Sequence, residues 1–450
     1  MKIKCIGFLL MGALVLPSCK KWLDAKPDKK LVVPSAVEDL QALLDNTDIM
    51  SFSSPAISEM TTDDYWLMDG DLAALSPQEN AVYTWKNDIY FNGFPNDWSN
   101  AYNPIYFANI CLEEIGKISK TAQNENAWNN VKGSALLYRG KCLLEAAWIW
   151  SKAYDASTAA TGDGIPLRLS SDFNETSVRA SLENTYQQII SDISASVPLL
   201  PETPFHVMRP SKAAAYGYLA RVYLSMRKYD SCYKYSSLAL ERKHDLLDYA
   251  TVDGSARYPF GRFSKEVIMH SSMLTMYNNL ENSIARVDTA LYESYNDHDL
   301  RKKLYFKSFG DGTFSYRGSY ARRTPFNGIA TDELYLMHAE CSARMGDKTS
   351  ALNDLNTLLV NRYEKGTFIP LEAAEANAAL ELVLIERRKE LLFRGLRWMD
   401  IKRLNLEGAN IKQFRKPNGQ SLELAPNANY YALPIPPDII SLTGMRQNPA

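Results

Sequence analysis

Two stretches of this chain are written to one plan. In "SKAAAYGYLARVYLSMRKYDSCYKYSSLALE", small Ala220 is followed twelve residues later by small Cys232 and then by Ala239, with turn residues Arg227 to Tyr229 between two apolar-periodic runs. In "TDELYLMHAECSARMGDKTSALNDLNTLLVNRY", Ala339 is followed twelve residues later by Ala351, and the turn falls at Gly346-Asp347. Apolar residues at spacings of three and four make an amphipathic helix, and small residues at these offsets let the two helices of a hairpin approach closely. A chain built on such units must bury helix against helix.

The plan is that of tetratricopeptide (TPR) repeats. A third helical tract, "WSNAYNPIYFANICLEEIGKI" followed by "NAWNNVKGSALLYRGKCLLEAAWIWSKAYD", supplies another pair of helices, so TPR-like units are expected near residues 98–155, 211–242 and 331–362. Roughly 90 residues separate the last two, so the array is interrupted by an insertion. Within it, "LYFKSFGDGTFSYRGSY" alternates apolar and polar residues around Asp311-Gly312, which predicts a β-hairpin. Residues 51–97 lose periodicity and are expected to be loop-rich, as is much of 250–325. Tracts of that length without regular structure are candidates for ligand binding. Ser35 with Glu38 reads as a capping box opening a helix through Leu44. The fold class expected is mostly α: a TPR-like helical scaffold with loop-rich insertions and one small β-hairpin.

The N-terminus carries a different signal. Lys2 and Lys4 precede an apolar run of 11 residues, Ile6 to Leu16, too short to span a bilayer and shaped like a signal peptide. Leu16 and Ser18 before Cys19 resemble a bacterial lipobox, so residues 1–18 are expected to be removed, Cys19 to be lipidated, and residues 19–30, with their lysines and Pro27, to serve as a tether to a single domain over 31–450. Cys111, Cys142, Cys232 and Cys341 are widely spaced within helix-like patterns and are expected to be free, buried thiols. Composition narrows the function further. The 450 residues are 46% hydrophobic and 23% charged, as in a globular protein, and the 50 basic and 52 acidic residues leave a formal charge of -2. No basic face for nucleic acid is indicated.

Several motifs occur in a fixed order: the lipobox, "WLDAKP" after it, "WSNAYNPIYFANICLEEI", "YRGKCLLEAAWIWSKAYD" with "GIPL", "DELYLMHAECSARMGD", "ERRKELLFRGLRWMDIKRLN" and "YALPIPPDII" with "QNP". Together, over essentially the whole chain, they resemble the SusD/RagB family of outer-membrane nutrient-binding lipoproteins. Arg394 stands where that family often has Glu. The resemblance implies a non-catalytic, lipid-anchored protein at the surface of a Gram-negative bacterium. Such a protein sits on a SusC-like TonB-dependent transporter and captures oligosaccharide, or peptide in some relatives. It implies no cofactor. A protein-binding TPR scaffold and a glycoside hydrolase are the competing classes.

A sugar offers an apolar C–H face and a rim of hydroxyls, so its binder needs an exposed aromatic platform beside polar side chains. Tyr65, Trp66 and Asp69, in the first loop-rich tract, meet that description, and Tyr292, Tyr316 and Tyr320, in or near the hairpin, form a second group. The plainer reading has Asp63, Asp64 and Tyr65 closing the loop onto the helices. Trp85, Trp98, Trp148, Trp150 and Trp398 read as packing residues. Asp299 is expected to pair with Arg301, and Glu386 and Glu390 with arginines along one helix, in preference to an anion site at Arg387, Arg388, Arg394 and Arg397. The five histidines form no zinc or nucleophile motif.

Overall fold

The periodicity that dominates the sequence is realised as helices. In the computed structural model, which describes residues 34–90 and 94–449, eight helices reach 12 residues or more. They are α1 (Asp97–Ile115), α2 (Glu125–Trp150), α3 (Leu182–Ser196), α4 (Lys212–Ser225), α5 (Tyr229–Leu240), α6 (Thr331–Arg344), α7 (Lys348–Leu359) and α8 (Ala376–Glu390). Each expected unit is an antiparallel pair: α1 packs on α2, α4 on α5, and α6 on α7. The local reasons are side-chain caps and a glycine turn, of which the turn at Gly346-Asp347 was legible in the sequence. Ser211 caps α4 by accepting the Ala214 N–H at 3.2 Å, Asp347 caps α7 by accepting that of Ser350 at 3.0 Å, and Gly346 turns the chain with φ +89°. Ala220, Cys232, Ala239, Ala339 and Ala351 are all fully buried where the helices meet. Although the last two units are far apart in sequence, α5 packs directly on α6, so the array is continuous in space and the insertion loops out of it. Cys111, Cys142, Cys232 and Cys341 are buried and unpaired, and Cys19 lies outside the described residues.

The tract 51–97, expected to be loop-rich, is more ordered and more buried than its aperiodic sequence suggests. Its described part is a string of short elements, among them Ile57–Met60, Asp69–Ala74 and Pro77–Tyr83 as helices, and most of it is buried. Two of its strands pair with the insertion. Ser54–Pro55 runs parallel to Met273–Leu274, and β1 (Tyr65–Trp66) runs antiparallel to β2 (Arg286–Val287). The predicted hairpin is present as β3 (Phe306–Ser308) and β4 (Phe314–Tyr316), with Gly310 and Gly312 at positive φ in its turn. The capping box at Ser35 is not formed. The helix begins at Val37, and Asp39, not Glu38, accepts the N–H groups of Ser35 and Ala36 at 3.3 and 3.2 Å.

A buried ionic chain joins the insertion to α8. Arg362 donates to Glu266 at 2.9 Å and to Glu390 at 2.8 Å; Glu390 also accepts from Arg301 at 2.9 Å, and Arg301 reaches Asp299 at 2.7 Å and Glu386 at 2.6 Å. The Asp299–Arg301 pair is as expected. Glu386 and Glu390, however, turn to Arg301, Arg362 and Lys389 instead of to the arginines of their own helix, because they lie on its buried face. Among the described residues no helix is long and apolar enough to cross a membrane.

Candidate ligand-binding site

The β1–β2 register sets Trp66 opposite Arg286 and so joins the two loop-rich regions at one point. The Arg286 guanidinium lies 5.6 Å from the centre of the Trp66 ring and 4.3 Å from that of Phe309, which stands in the β3–β4 turn. A cation held against two ring faces fixes all three groups. Its Nη1 donates to Asp71 at 2.9 Å and to the Ile284 carbonyl at 3.0 Å, and Nη2 is 3.7 Å from Asp311. Asp311 is exposed, and the hydroxyl and backbone N–H of Thr313 hold its carboxylate below the usual range. Asp69, also exposed, accepts the Asn418 N–H at 2.6 Å, which fastens this corner to the C-terminal segment. Trp66 and Phe309 are only half-buried. The arrangement therefore offers aromatic surface, a positioned cation and three carboxylates, groups suited to the apolar face and hydroxyl rim of a sugar.

The other candidates divide. Tyr65 and Tyr320 are corrections: they are 1% and 2% exposed and present no face to a ligand. The Tyr65 hydroxyl donates to the Met60 carbonyl at 2.7 Å, while that of Tyr320 lies between Glu266 and the Tyr249 hydroxyl, so both close the fold. Tyr292 is half-buried but stacks on Phe314 with ring centres 3.8 Å apart and supports the hairpin. Tyr316, 5.1 Å from the Phe393 ring, lines a small cleft with Ser319, Arg322 and Arg323. Arg286, Phe309, Asp71 and Asp311 were missed as site residues. The signal available was the turn at Asp311-Gly312; "SIARVD" around Arg286 matches no motif.

Behind the site, the loop closes on the helices as the plainer reading held. Arg397 grips Asp63 through two bonds of 2.7 Å and Arg388 reaches Asp64 at 3.2 Å. Burial works against the Asp63 charge, but Arg397 and Arg388 hold the carboxylate well below its usual range. Glu59, fully buried and near Asp64, is pushed up to about 8. Arg394 pairs with Asp332 at 3.0 Å and Arg387 with Asp400 at 2.8 Å, so the arginine cluster is spent on separate carboxylates. Among the described residues no group of three His, Cys, Asp or Glu is placed to hold a metal ion.

Comparison with known proteins gives concordant results. A family model described as starch-binding and associating with the outer membrane matches residues 21–224, and the model of the SusD family matches residues 148–450. A SusD-like protein of Formosa agariphila is 23% identical over 89% of this chain and 92% of its own. Among solved structures, a SusD superfamily protein from Bacteroides thetaiotaomicron superposes with a TM-score of 0.73 at 19% identity, over 92% of this chain and 100% of its own. A laminarin-binding SusD-like protein does so with a TM-score of 0.64 at 16% identity, over 91% and 98%. At these identities the structural likeness speaks for the fold.

Proposed function

The chain belongs to the SusD family, and from that membership we propose that it is a non-catalytic binding protein that captures oligosaccharide at the Trp66–Arg286–Phe309 site and delivers it to a SusC-like TonB-dependent transporter in the outer membrane. The observation that carries the reading is the β1–β2 pairing, which sets a half-buried tryptophan, a fixed arginine and exposed carboxylates at one place on the surface. The laminarin-binding relative and the starch-binding description of one family model support a glycan as ligand. The lipobox at Cys19 supports a lipid anchor, with residues 1–18 as signal peptide, 19–30 as tether and 31–450 as the binding domain. Anchoring in the same membrane raises the effective concentration of binder and transporter for each other.

Titration calorimetry on the form starting after Cys19, against storage and cell-wall glycans and mixed peptides, tests the proposal. The expected result is saturable heat from one glycan class, with the glycan recovered uncleaved. Trp66→Ala should weaken binding at least tenfold with unchanged melting. Unchanged affinity would remove Trp66 from the site, and heat from peptides alone would replace the cargo.

A further inference from the structure

A second groove shares no residue with the first site. Its floor is one face of α1, where Trp98, Tyr102 and Tyr106 recur every four residues. One wall is the arch between Arg168 and Ser177, and the other is the short helix Pro437–Thr443 with Leu442. The space between them is about 480 Å³, within the range of ~300–1,000 Å³ that small-molecule sites occupy.

The groove is held in shape by the protein itself. The Trp98 and Tyr102 rings stack with centres 4.8 Å apart, and the Tyr102 hydroxyl donates to the Pro166 carbonyl at 3.0 Å. Buried Asn109 donates to the carbonyls of Arg168 and Ser170 at 3.0 and 3.1 Å, and its own carbonyl accepts from Arg139 at 3.0 Å. Arg168 curls back to the Asp172 carbonyl at 2.5 Å and to that of Glu175, while Glu113 accepts the Ser171 N–H at 2.7 Å. A binding surface fixed in this way loses little entropy when a ligand enters.

Its chemistry is mixed in a particular way. Phe173 is 81% exposed and Leu442 80%, with Tyr106 at 40%, a concentration of exposed apolar surface that marks a binding site more often than chance. Asn174, Glu175 and Thr176 supply a polar, exposed wall. The lining carries one cation, Arg168, already engaged by backbone carbonyls, and one anion, Glu175. A polyanion finds no field here, and an apolar helix would leave the polar wall unmatched. A sugar ring, apolar on its faces and hydroxylated around its rim, satisfies both walls and can lie against Tyr106 and Phe173.

We propose that this groove is a second carbohydrate-binding site, which takes a short, neutral glycan segment independently of Trp66. The inference rests on the carbohydrate reading of the protein but not on the Trp66 site. Two sites on one molecule let a long glycan rebind at one while it leaves the other, so a polysaccharide is held more tightly than its hexasaccharide.

Methionine methyl groups labelled with carbon-13 give one reporter for each site: Met445, which lines the groove, and Met68, two residues from Trp66. Each is assigned by its Met→Leu variant. The probes are the malto-, laminari-, xylo- and manno-hexasaccharides. A hexasaccharide should shift Met445, and the double variant Tyr106→Ala with Phe173→Ala should weaken that response at least tenfold while Met68 titrates within twofold of its original affinity. Both substituted side chains are on the surface, and an unchanged Met68 titration shows that the double variant is folded. A shift of Met68 without Met445 would remove the groove and keep the first site; a shift of Met445 alone would keep the groove and remove the first site. Silence at both methyls would overturn both readings.

Discussion

The helix hairpins and the insertion between them are closed by contacts of different range along the chain. Inside α4–α5 and α6–α7, helices that follow one another in the chain pack directly, with small side chains fully buried on them, Ala220 and Cys232 in the first pair and Ala339 and Ala351 in the second. The insertion meets the rest of the molecule over longer range, through an apolar cluster that joins Tyr305, Phe306 and Phe326 to Tyr65, Tyr83 and Phe393 and through charges: Arg362 to Glu266 across 96 positions and Arg301 to Glu390 across 89, with every group buried. Apolar packing between sequence neighbours forms wherever the pattern allows it. A buried ion must have its partner at hydrogen-bond distance, because losing the water around an unpaired charge costs several kcal/mol. The hairpins are therefore a scaffold set by local pattern, while the insertion that carries half of the candidate site is placed by long-range pairing.

The sharpest way to break that contrast is Arg362→Met. It leaves Glu266 and Glu390 buried without this cation and should cost about 3–5 kcal/mol in urea unfolding; a loss below about 1 kcal/mol would show that the ionic chain does not hold the insertion. The scaffold should be less sensitive. At Gly140, on α2, an added Cβ would lie 2.5 Å from Cγ1 of Ile193 on α3, so Gly140→Ala should cost about 1–3 kcal/mol as the isoleucine shifts. Equal losses from the two variants would erase the distinction. Glu59 gives the smallest effect and a pH signature. Its carboxyl, raised from 4.5 to about 8 by burial with Asp64 nearby, is protonated in the folded protein where the unfolded chain has already released the proton. Its contribution is thus present in full below about pH 4.5 and is lost as pH rises toward 8. Glu59→Gln keeps an oxygen able to accept the Gly395 N–H, now at 2.8 Å. It should leave stability at pH 4.5 unchanged and raise it at pH 9 by at least about 1.4 kcal/mol. Parallel pH profiles for the two proteins would show that Glu59 is ionised in the fold.

The candidate site itself was half legible. Trp66 stood out as a tryptophan among acidic residues in an aperiodic tract, but its neighbour Tyr65 has the same features and is core. Successive residues of a strand point to opposite faces, so one of the two had to turn inward, and a strand as short as Tyr65–Trp66 has too few residues to reveal its phase. Tyr320 raises the same difficulty with the same outcome, its hydroxyl consumed by Glu266 and Tyr249. Arg286 was invisible because its value lies entirely in Trp66, Phe309 and Asp71 around it, and Asp71 is 215 positions away.

By itself the sequence determined the long helices, the small residues buried on them, the β3–β4 turn and, through the ordered motifs, the family, because each of these depends on residues close together along the chain or on short patterns read in order. Only the tertiary structure decided that the interrupted array closes through α5 and α6, that the tract after residue 51 is packed instead of open, and which aromatic side chains face outward. Those outcomes depend on which distant strand or carboxylate each residue meets, and that pairing is a property of the folded chain as a whole.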